Sequence, residues 1–368
     1  MTSAAFTYPN VELLIDGVWR QGVEGRTQPI VDPATDEEIG KLAHATRADL
    51  DAALSAAQKG FLVWRQTSAY NRSRVMRKAA EIFRSRADYV AWLITREQGK
   101  PLAADALEMA EAAEAAGAKT QVGFNYLCNP MLGLAREMIA AGELGEIRGY
   151  RGVHAEDYMA DSAGPFTFRH DPAGGGALAD IGSHALATAE FLMGAAAGPI
   201  TSVMGECVTV IAERPDGKGG MRCVEVDDVG RAFLRFASGA TGSIEGNWIA
   251  TGRKMQHDFE VYGAKGALAF SQERFNELHF FSTEDKRGRQ GFRRIEAGPD
   301  HAPYGLFCVA AGHQLGFNDL KAIEVAGYLD AVAGRRLEPF NFRAGLRIQT
   351  LVETIHASSR AGAWREVR

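Results

Sequence analysis

The hydrophobic pattern changes period along this chain. Residues 12–31 give short apolar runs with turns between them. Leu13-Leu14-Ile15 and Val18-Trp19-Arg20 flank Asp16-Gly17, a dipeptide that favours the tight turn of a hairpin. Asp32-Pro33-Ala34-Thr35 reads as a loop. From there the period becomes helical: Leu50, Ala53, Leu54, Ala57, Phe61 and Trp64 recur at helical spacing. Thr46 with Asp49 three residues on makes a capping box in which Asp replaces the usual Glu. A second helix carries Val75, Ala79, Ile82 and Phe83, and a third Val90, Leu93 and Ile94, ended by Gly99 and Pro101.

Residues 104–116 form an Ala-rich helix closed by Gly117. Lys119 to Phe124 reads as a strand, and Asn129-Pro130 as a cap and first-turn proline opening a helix through Ile139. Ile147 to Tyr158 is a long strand, Gly174-Gly175-Gly176 a loop, and Ala177 to Met193 a helix. After Pro199 the period falls to two. Thr201–Ile211, Val229–Phe236, Thr241–Trp248, Phe259–Tyr262 and Ala267–Phe270 are strands, with Ala237-Ser238-Gly239-Ala240 as a hairpin turn. Helices at about 318–333 and 343–360 follow.

Composition narrows this picture. With 46% apolar and 24% charged residues, the 368-residue chain has the make-up of a globular protein with room for two cores. A formal charge of −5 without a basic run argues against nucleic acid. Arg287, Arg289, Arg293 and Arg294 are spaced by other residues and read as a solvated loop. No apolar run suits a membrane span, and the first ten residues do not read as a signal peptide, so a cytoplasmic location is expected. Cys128, Cys207, Cys223 and Cys308 form no Cys-x-x-Cys pair and read as reduced, packed thiols.

Two resemblances divide the chain. Leu14-Ile15-Asp16-Gly17-Val18-Trp19, Asp32-Pro33-Ala34-Thr35 and Glu97-Gln98-Gly99-Lys100-Pro101-Leu102 resemble aldehyde dehydrogenases, closest to the succinate-semialdehyde type. In that family this stretch supplies a leading hairpin and first helices, without the dinucleotide-binding core or the catalytic thiol. From Ala104 onward the chain resembles the glucose–fructose oxidoreductase/inositol dehydrogenase/MocA family. The carriers are residues 118–126, 174–184 (Gly-Gly-Gly-Ala-Leu-Ala-Asp-Ile-Gly-Ser-His) and 259–266. Together these imply an α+β fold: a large antiparallel sheet with helices on one face, after a hairpin-and-helices segment and a Rossmann remnant lacking its nucleotide-binding strands. The expected divisions are 1–103, aldehyde-dehydrogenase-like; 104–125, the remnant helix and strand; and 126–368, a substrate and oligomerisation domain.

Asp180 and His184, four apart on a helix, share a face in this reading. A carboxylate beside an imidazole orients it and raises its basicity. Spacing alone favours a surface pair; the preceding glycines and the resemblance reverse that and favour His184 as the base that takes a hydroxyl proton, with Asp180 orienting it. The family's third catalytic residue is a lysine in a Glu-Lys-Pro motif, matched here by Lys100-Pro101 after Gly99. Tyr126, Asp157 and Arg169 are candidate polyol contacts, with packing or surface roles as the other reading of Tyr126 and Arg169. His257 reads as a loop histidine and Trp248 as core.

The resemblance implies NAD or NADP as cofactor and a small sugar or polyol as substrate. It also implies a homo-oligomer formed through the open sheet. The Gly-x-Gly-x-x-Gly fingerprint that holds a pyrophosphate is not found, and Gly217-Lys218-Gly219-Gly220 reads as a turn. Three functions follow: a sugar or polyol oxidoreductase impaired in dinucleotide binding, a non-catalytic assembly protein or recombination product, or an aldehyde-dehydrogenase-related fragment.

Overall fold

A computed structural model describes residues 8–32, 37–86, 102–172, 175–217, 219–336 and 340–367. The chain divides into two compact units, Met1–Pro101 and Leu102–Arg368. In the first, strands β1 (Leu13–Ile15) and β2 (Val18–Arg20) form the expected hairpin. Asp16 and Gly17 both take positive φ, as the tight turn requires. Strands β3 (Thr27–Asp32) and β4 (Glu37–Ala43) make a second ribbon. Helices α1 (Arg47–Gln66) and α2 (Ala69–Ser85) follow.

The start of α1 is built by its cap. The Asp49 carboxylate accepts the backbone N–H of Thr46 at 2.8 Å and of Val23 at 3.0 Å, while Thr46 Oγ1 accepts the Asp49 N–H at 3.3 Å. This ties the helix to the loop after the first hairpin. The periodic apolar residues of the two helices stay in solvent: Leu54, Phe61, Val75 and Phe83 are each more than half exposed. The expected third helix, including Trp92, lies outside the described residues.

The second unit opens with α3 (Leu102–Ala115). The strand expected over 119–124 does not form. A parallel strand needs a neighbour on at least one edge, and the described residues provide none. Its polar groups find scattered partners instead: Val122 N–H donates to Phe340 O at 2.7 Å, Tyr328 Oη to Lys119 O at 3.0 Å, and Phe342 N–H to Thr120 Oγ1 at 3.1 Å. A 3₁₀ turn (Asn125–Cys128) leads to α4 (Pro130–Ala140), whose N-cap Asn129 accepts the Met131 N–H at 2.8 Å.

Strand β5 (Ile147–Ala155) stops short of the expected Tyr158. A π-helical turn (Leu178–Gly182) runs into α5 (Ser183–Ala197). Strands β6 (Ile200–Val208), β7 (Glu213–Pro215), β8 (Met221–Cys223), β9 (Val229–Phe236) and β10 (Thr241–Asn247) follow. Then come β11 (Gln256–Gly263), β12 (Gly266–Ser271), β13 (Glu277–Ser282) and β14 (Arg293–Glu296). Helices α6 (Phe317–Val332) and α7 (Phe342–Ala361) and the short β15 (Arg365–Glu366) complete the described elements.

Nine strands form one sheet in the order β14-β13-β12-β11-β5-β10-β9-β6-β15. Every pairing is antiparallel except β5 with β10, where Thr241 meets Gly149 in parallel register. Alternation assigns the faces. Along β9, Ala232, Leu234 and Phe236 are buried while Arg231, Phe233 and Arg235 are exposed. Across the sheet, Val203, Leu234, Tyr150, Val261 and Leu268 form one buried row. Helices α5 and α7 pack on that face. The approach of α7 to β6 is close: a Cβ on Gly205 would lie 2.6 Å from the Ile355 carbonyl oxygen, so only glycine fits.

Candidate active site

The site is built around the π-turn. Gly175 and Gly176 take positive φ, and a Cβ on Gly176 would lie 2.6 Å from Asp227 Oδ1. The chain therefore enters the turn pressed against Asp227. The Ala177 N–H donates to Asp227 O and the Leu178 N–H to Asp227 Oδ2, both at 2.8 Å. On the other side, a Cβ on Gly246 of β10 would meet Gly182 Cα at 2.8 Å. Loop and sheet together hold the segment that carries Asp180 and His184.

His184 is half-buried among rings. Tyr126 meets it edge-on with centroids 4.8 Å apart, Phe124 does so at 5.8 Å, and His154 lies at 5.6 Å. Burial, and then the neighbouring His154, push its pKa down to about 3. It is a neutral imidazole at neutral pH. Tyr126 is buried, and its phenol is pushed up to about 12 by burial and then by Glu156 and Asp180. It stays a hydrogen-bond donor.

Asp180 is not hydrogen-bonded to His184. Its Oδ2 accepts from Tyr158 Oη at 2.7 Å and from Arg169 Nε at 2.8 Å. The physical reason is the π-turn: its wider repeat breaks the i, i+4 alignment that an α-helix would give. The carboxylate is thus oriented by Arg169 and Tyr158, and the orienting role toward His184 expected from spacing is not what the geometry displays. Arg169 also stacks its guanidinium 4.7 Å from the Phe168 ring centroid.

Asp157 is occupied elsewhere. Its Oδ2 accepts from Lys254 Nζ at 2.6 Å and from the Gly252 N–H at 3.0 Å. The Lys254 hydrogen bond, with that of Gly252, holds its carboxyl below the usual range. These contacts fix a turn. Lys100 lies outside the described residues.

Two buried histidines lie beside His184, one of them, His154, carrying no signal in the sequence. His154 on β5 and His257 on β11 are cross-strand partners with ring centroids 4.7 Å apart. His257 is therefore a strand residue and not the loop histidine expected. His154 Nε2 pairs with Glu156 Oε1 at 3.0 Å. His257 Nε2 lies 3.0 Å from Thr188 Oγ1, which itself donates to His184 O at 2.9 Å. A hydroxyl that gives its proton to that carbonyl must accept from His257, so His257 carries its proton on Nε2. Burial and the two neighbouring histidines hold the His257 pKa well down. Trp248 is core, as expected, with Nε1 donating to Asp228 Oδ1 at 2.7 Å. Burial pushes the Cys128 thiol up to about 12, which suits the packing role read for it.

A dinucleotide needs a strand that passes through a glycine-rich turn into a helix N-terminus. Among the described residues no strand does so. The glycine cluster near 217–220 joins β7 to β8. Its Gly220 N–H, the kind of donor a phosphate would use, points to Asp216 Oδ1 at 2.9 Å. A carboxylate in that position repels a pyrophosphate, so these residues do not fit the group.

The fold of the second unit is that of an oxidoreductase domain. The family model for the GFO/IDH/MocA C-terminal domain matches residues 133–269, and the chain belongs to the GFO/IDH/MocA family. Levoglucosan dehydrogenase of Pseudarthrobacter phenanthrenivorans is 33% identical over 264 residues, which are 67% of this chain and 66% of that protein. The structure of levoglucosan dehydrogenase in complex with NADH and L-sorbose aligns with TM-score 0.69 and 30% identity. That alignment covers 72% of this chain and 70% of the other. An NAD binding oxidoreductase from Klebsiella pneumoniae aligns with TM-score 0.68 and 36% identity over 72% of this chain and 70% of its own. NAD(H) is thus a cofactor of the family.

The aldehyde dehydrogenase family model matches residues 19–125. Aldehyde dehydrogenase tropH of Talaromyces stipitatus is 36% identical over 104 residues, 28% of this chain and 20% of that protein. The chain therefore spans about two thirds of one relative and a fifth of the other. No described helix is long and apolar enough to cross a membrane.

Proposed function

We propose that the second unit is the substrate-binding and proton-transfer half of a sugar or cyclic-polyol dehydrogenase. The observation that carries this is the half-buried, neutral His184 beside Tyr126, with the Asp180 carboxylate held by Tyr158 and Arg169. Asp180, Arg169 and Tyr158 offer charged and neutral partners to neighbouring hydroxyls, and the edges of Tyr126 and His184 suit the C–H face of a sugar ring. His184 takes the hydroxyl proton. The resulting imidazolium is disfavoured by burial and by the neighbouring His154, so the proton is passed on and not kept on the ring. The NAD(P) half has no matching cradle among the described residues, and we infer that the chain by itself is impaired in turnover. Residues 104–125 are then what is left of a nucleotide domain.

The substrate test is calorimetric titration with levoglucosan, L-sorbose and inositol. Saturable binding of at least one is expected. It should weaken about tenfold or more in Arg169→Ala and Asp180→Ala, the loss of about 1.5 kcal/mol or more expected when a hydrogen bond to a charged group is removed. Binding that ignores both substitutions contradicts the reading.

The outward face of the sheet supports self-association. Met204 and Phe233 are cross-strand neighbours there, Phe233 is 64% exposed, and Arg231 pairs with Glu245 at 2.9 Å beside them. An exposed aromatic ringed by paired charges suits a symmetric contact between two copies. Sedimentation should show an oligomer that Phe233→Asp dissociates.

A further inference from the structure

A second constellation touches the site above only through Asp227, on which the π-turn rests. Cys207 Sγ, a carboxylate oxygen of Asp227 and a ring nitrogen of His356 all lie within 4.8 Å of one another. They come from three elements: Cys207 from β6, His356 from α7, and Asp227 from the loop before β9. It is the one such group of three possible metal ligands among the described residues. We propose that Cys207, Asp227 and His356 bind a divalent cation of the zinc class.

The donor set is mixed sulfur, nitrogen and oxygen, which suits zinc and disfavours magnesium or calcium. In a tetrahedral zinc site the usual bond lengths separate ligand atoms by about 3.3–3.6 Å. His356 Nε2 and Asp227 Oδ1 are 3.0 Å apart and Cys207 Sγ lies within 4.8 Å of both, so a cation would replace the His356–Asp227 hydrogen bond and draw the thiol in. Asp227 is fixed from behind, because its other oxygen accepts the Leu178 N–H at 2.8 Å. A ligand oriented this way is what metal sites use. Access exists too. An opening of about 490 Å³ beside His356 is lined by Glu353, Arg360 and Glu366, among others. Glu353 stands one turn before His356 on α7, and it or a water fills the fourth position. Arg360 opposes a cation, and the nearby carboxylates of Glu353, Glu366 and Asp227 offset it.

The consequence is mechanical. Asp227 holds the first residues of the π-turn that carries Asp180. A cation on Asp227 would tie that turn to β6 and α7 at once. Its role is structural support of the substrate site, and it takes no part in the chemistry.

Cobalt(II) provides the test, since a thiolate ligand gives it a charge-transfer absorption that oxygen and nitrogen ligands do not. The full chain is stripped with a chelator, kept reduced with a thiol-free reagent and titrated with cobalt, then with zinc. One equivalent of cobalt should develop the thiolate band, and zinc should abolish it. Cys207→Ser should remove the band, and His356→Gln should weaken cobalt binding by about tenfold or more. Cys223→Ser, at an exposed thiol, should leave both unchanged. Circular dichroism confirms that each variant is folded. If Cys207→Ser does not fold, the His356→Gln titration decides alone. No band with the parent protein, a band that survives Cys207→Ser, or unchanged affinity in His356→Gln overturns the proposal.

Discussion

Helices α1 and α7 carry the same kind of apolar stripe and meet opposite fates. In α7, Ile348, Leu351, Val352 and Ile355 are buried under the nine-stranded sheet. In α1, Leu50, Leu54, Phe61 and Trp64 remain exposed. Helical periodicity states that a face exists. It does not state that anything covers it. The second unit has a sheet face of matching size. The residues that resemble aldehyde dehydrogenases present a face without such a surface among the described residues of their own unit, a condition that favours association.

The contrast is open to attack by mutation. Leu351→Ala should destabilise the second unit by about 2–5 kcal/mol, the cost of a cavity in a packed core. Leu54→Ala in α1 should change stability by no more than about 0.5 kcal/mol. Urea unfolding followed by near-ultraviolet and far-ultraviolet circular dichroism measures both. Similar costs at the two positions would show that the stripe of α1 is covered after all.

Acid should separate the units next. The folded pKa of His184 is about 3, below its usual value near 6.5, and that of His257 is lowered in the same direction. Between those limits the unfolded chain binds more protons than the folded one. The stabilising contribution is therefore complete above about pH 6.5 and declines as the pH falls toward 3. Each histidine accounts for at most about 1.4 kcal/mol per pH unit in that window. Unfolding of the second unit should become easier between pH 7 and 5, and His184→Gln should flatten the dependence. A profile unchanged by that substitution would mean that the imidazole is not held neutral.

A smaller effect tests the local structure of the first unit. Thr46→Ala removes the hydroxyl that caps α1 and should cost about 1 kcal/mol. Thermal unfolding measured by loss of helical ellipticity checks it.

What was legible in the sequence is what is local. The Asp16-Gly17 turn, the Thr46–Asp49 box and the Asn129-Pro130 helix start each contain their own hydrogen-bonding logic, and each forms as read. Strand alternation marked the two sheet faces for the same reason. Register was not legible. His154 and His257 come together only because β5 and β11 pair residue for residue, and no spacing along the chain encodes that. The π-turn was hidden as well, since its sequence fits an ordinary helix, and its effect is to redirect Asp180 to Arg169 and Tyr158. The stretch 119–124 reads as a strand by Val122 and Phe124 in alternation, but a strand exists only with a partner.

The central claim is the proposal that this chain has kept the half of a sugar dehydrogenase that binds the hydroxyls and moves the proton, with no cradle for the dinucleotide among its described residues. Holding the reactants together supplies a large share of such rate enhancement, while a placed base supplies only about 10²–10⁴-fold. The direct measurement mixes the full chain with millimolar NAD or NADP and the sugars that it binds, and follows the absorbance of reduced nicotinamide, with His184→Ala alongside. The account predicts sugar binding by the parent protein and no turnover above the His184→Ala background. Turnover in the parent protein that disappears in His184→Ala would contradict it, and would place a dinucleotide site in a segment that shows no fingerprint for one.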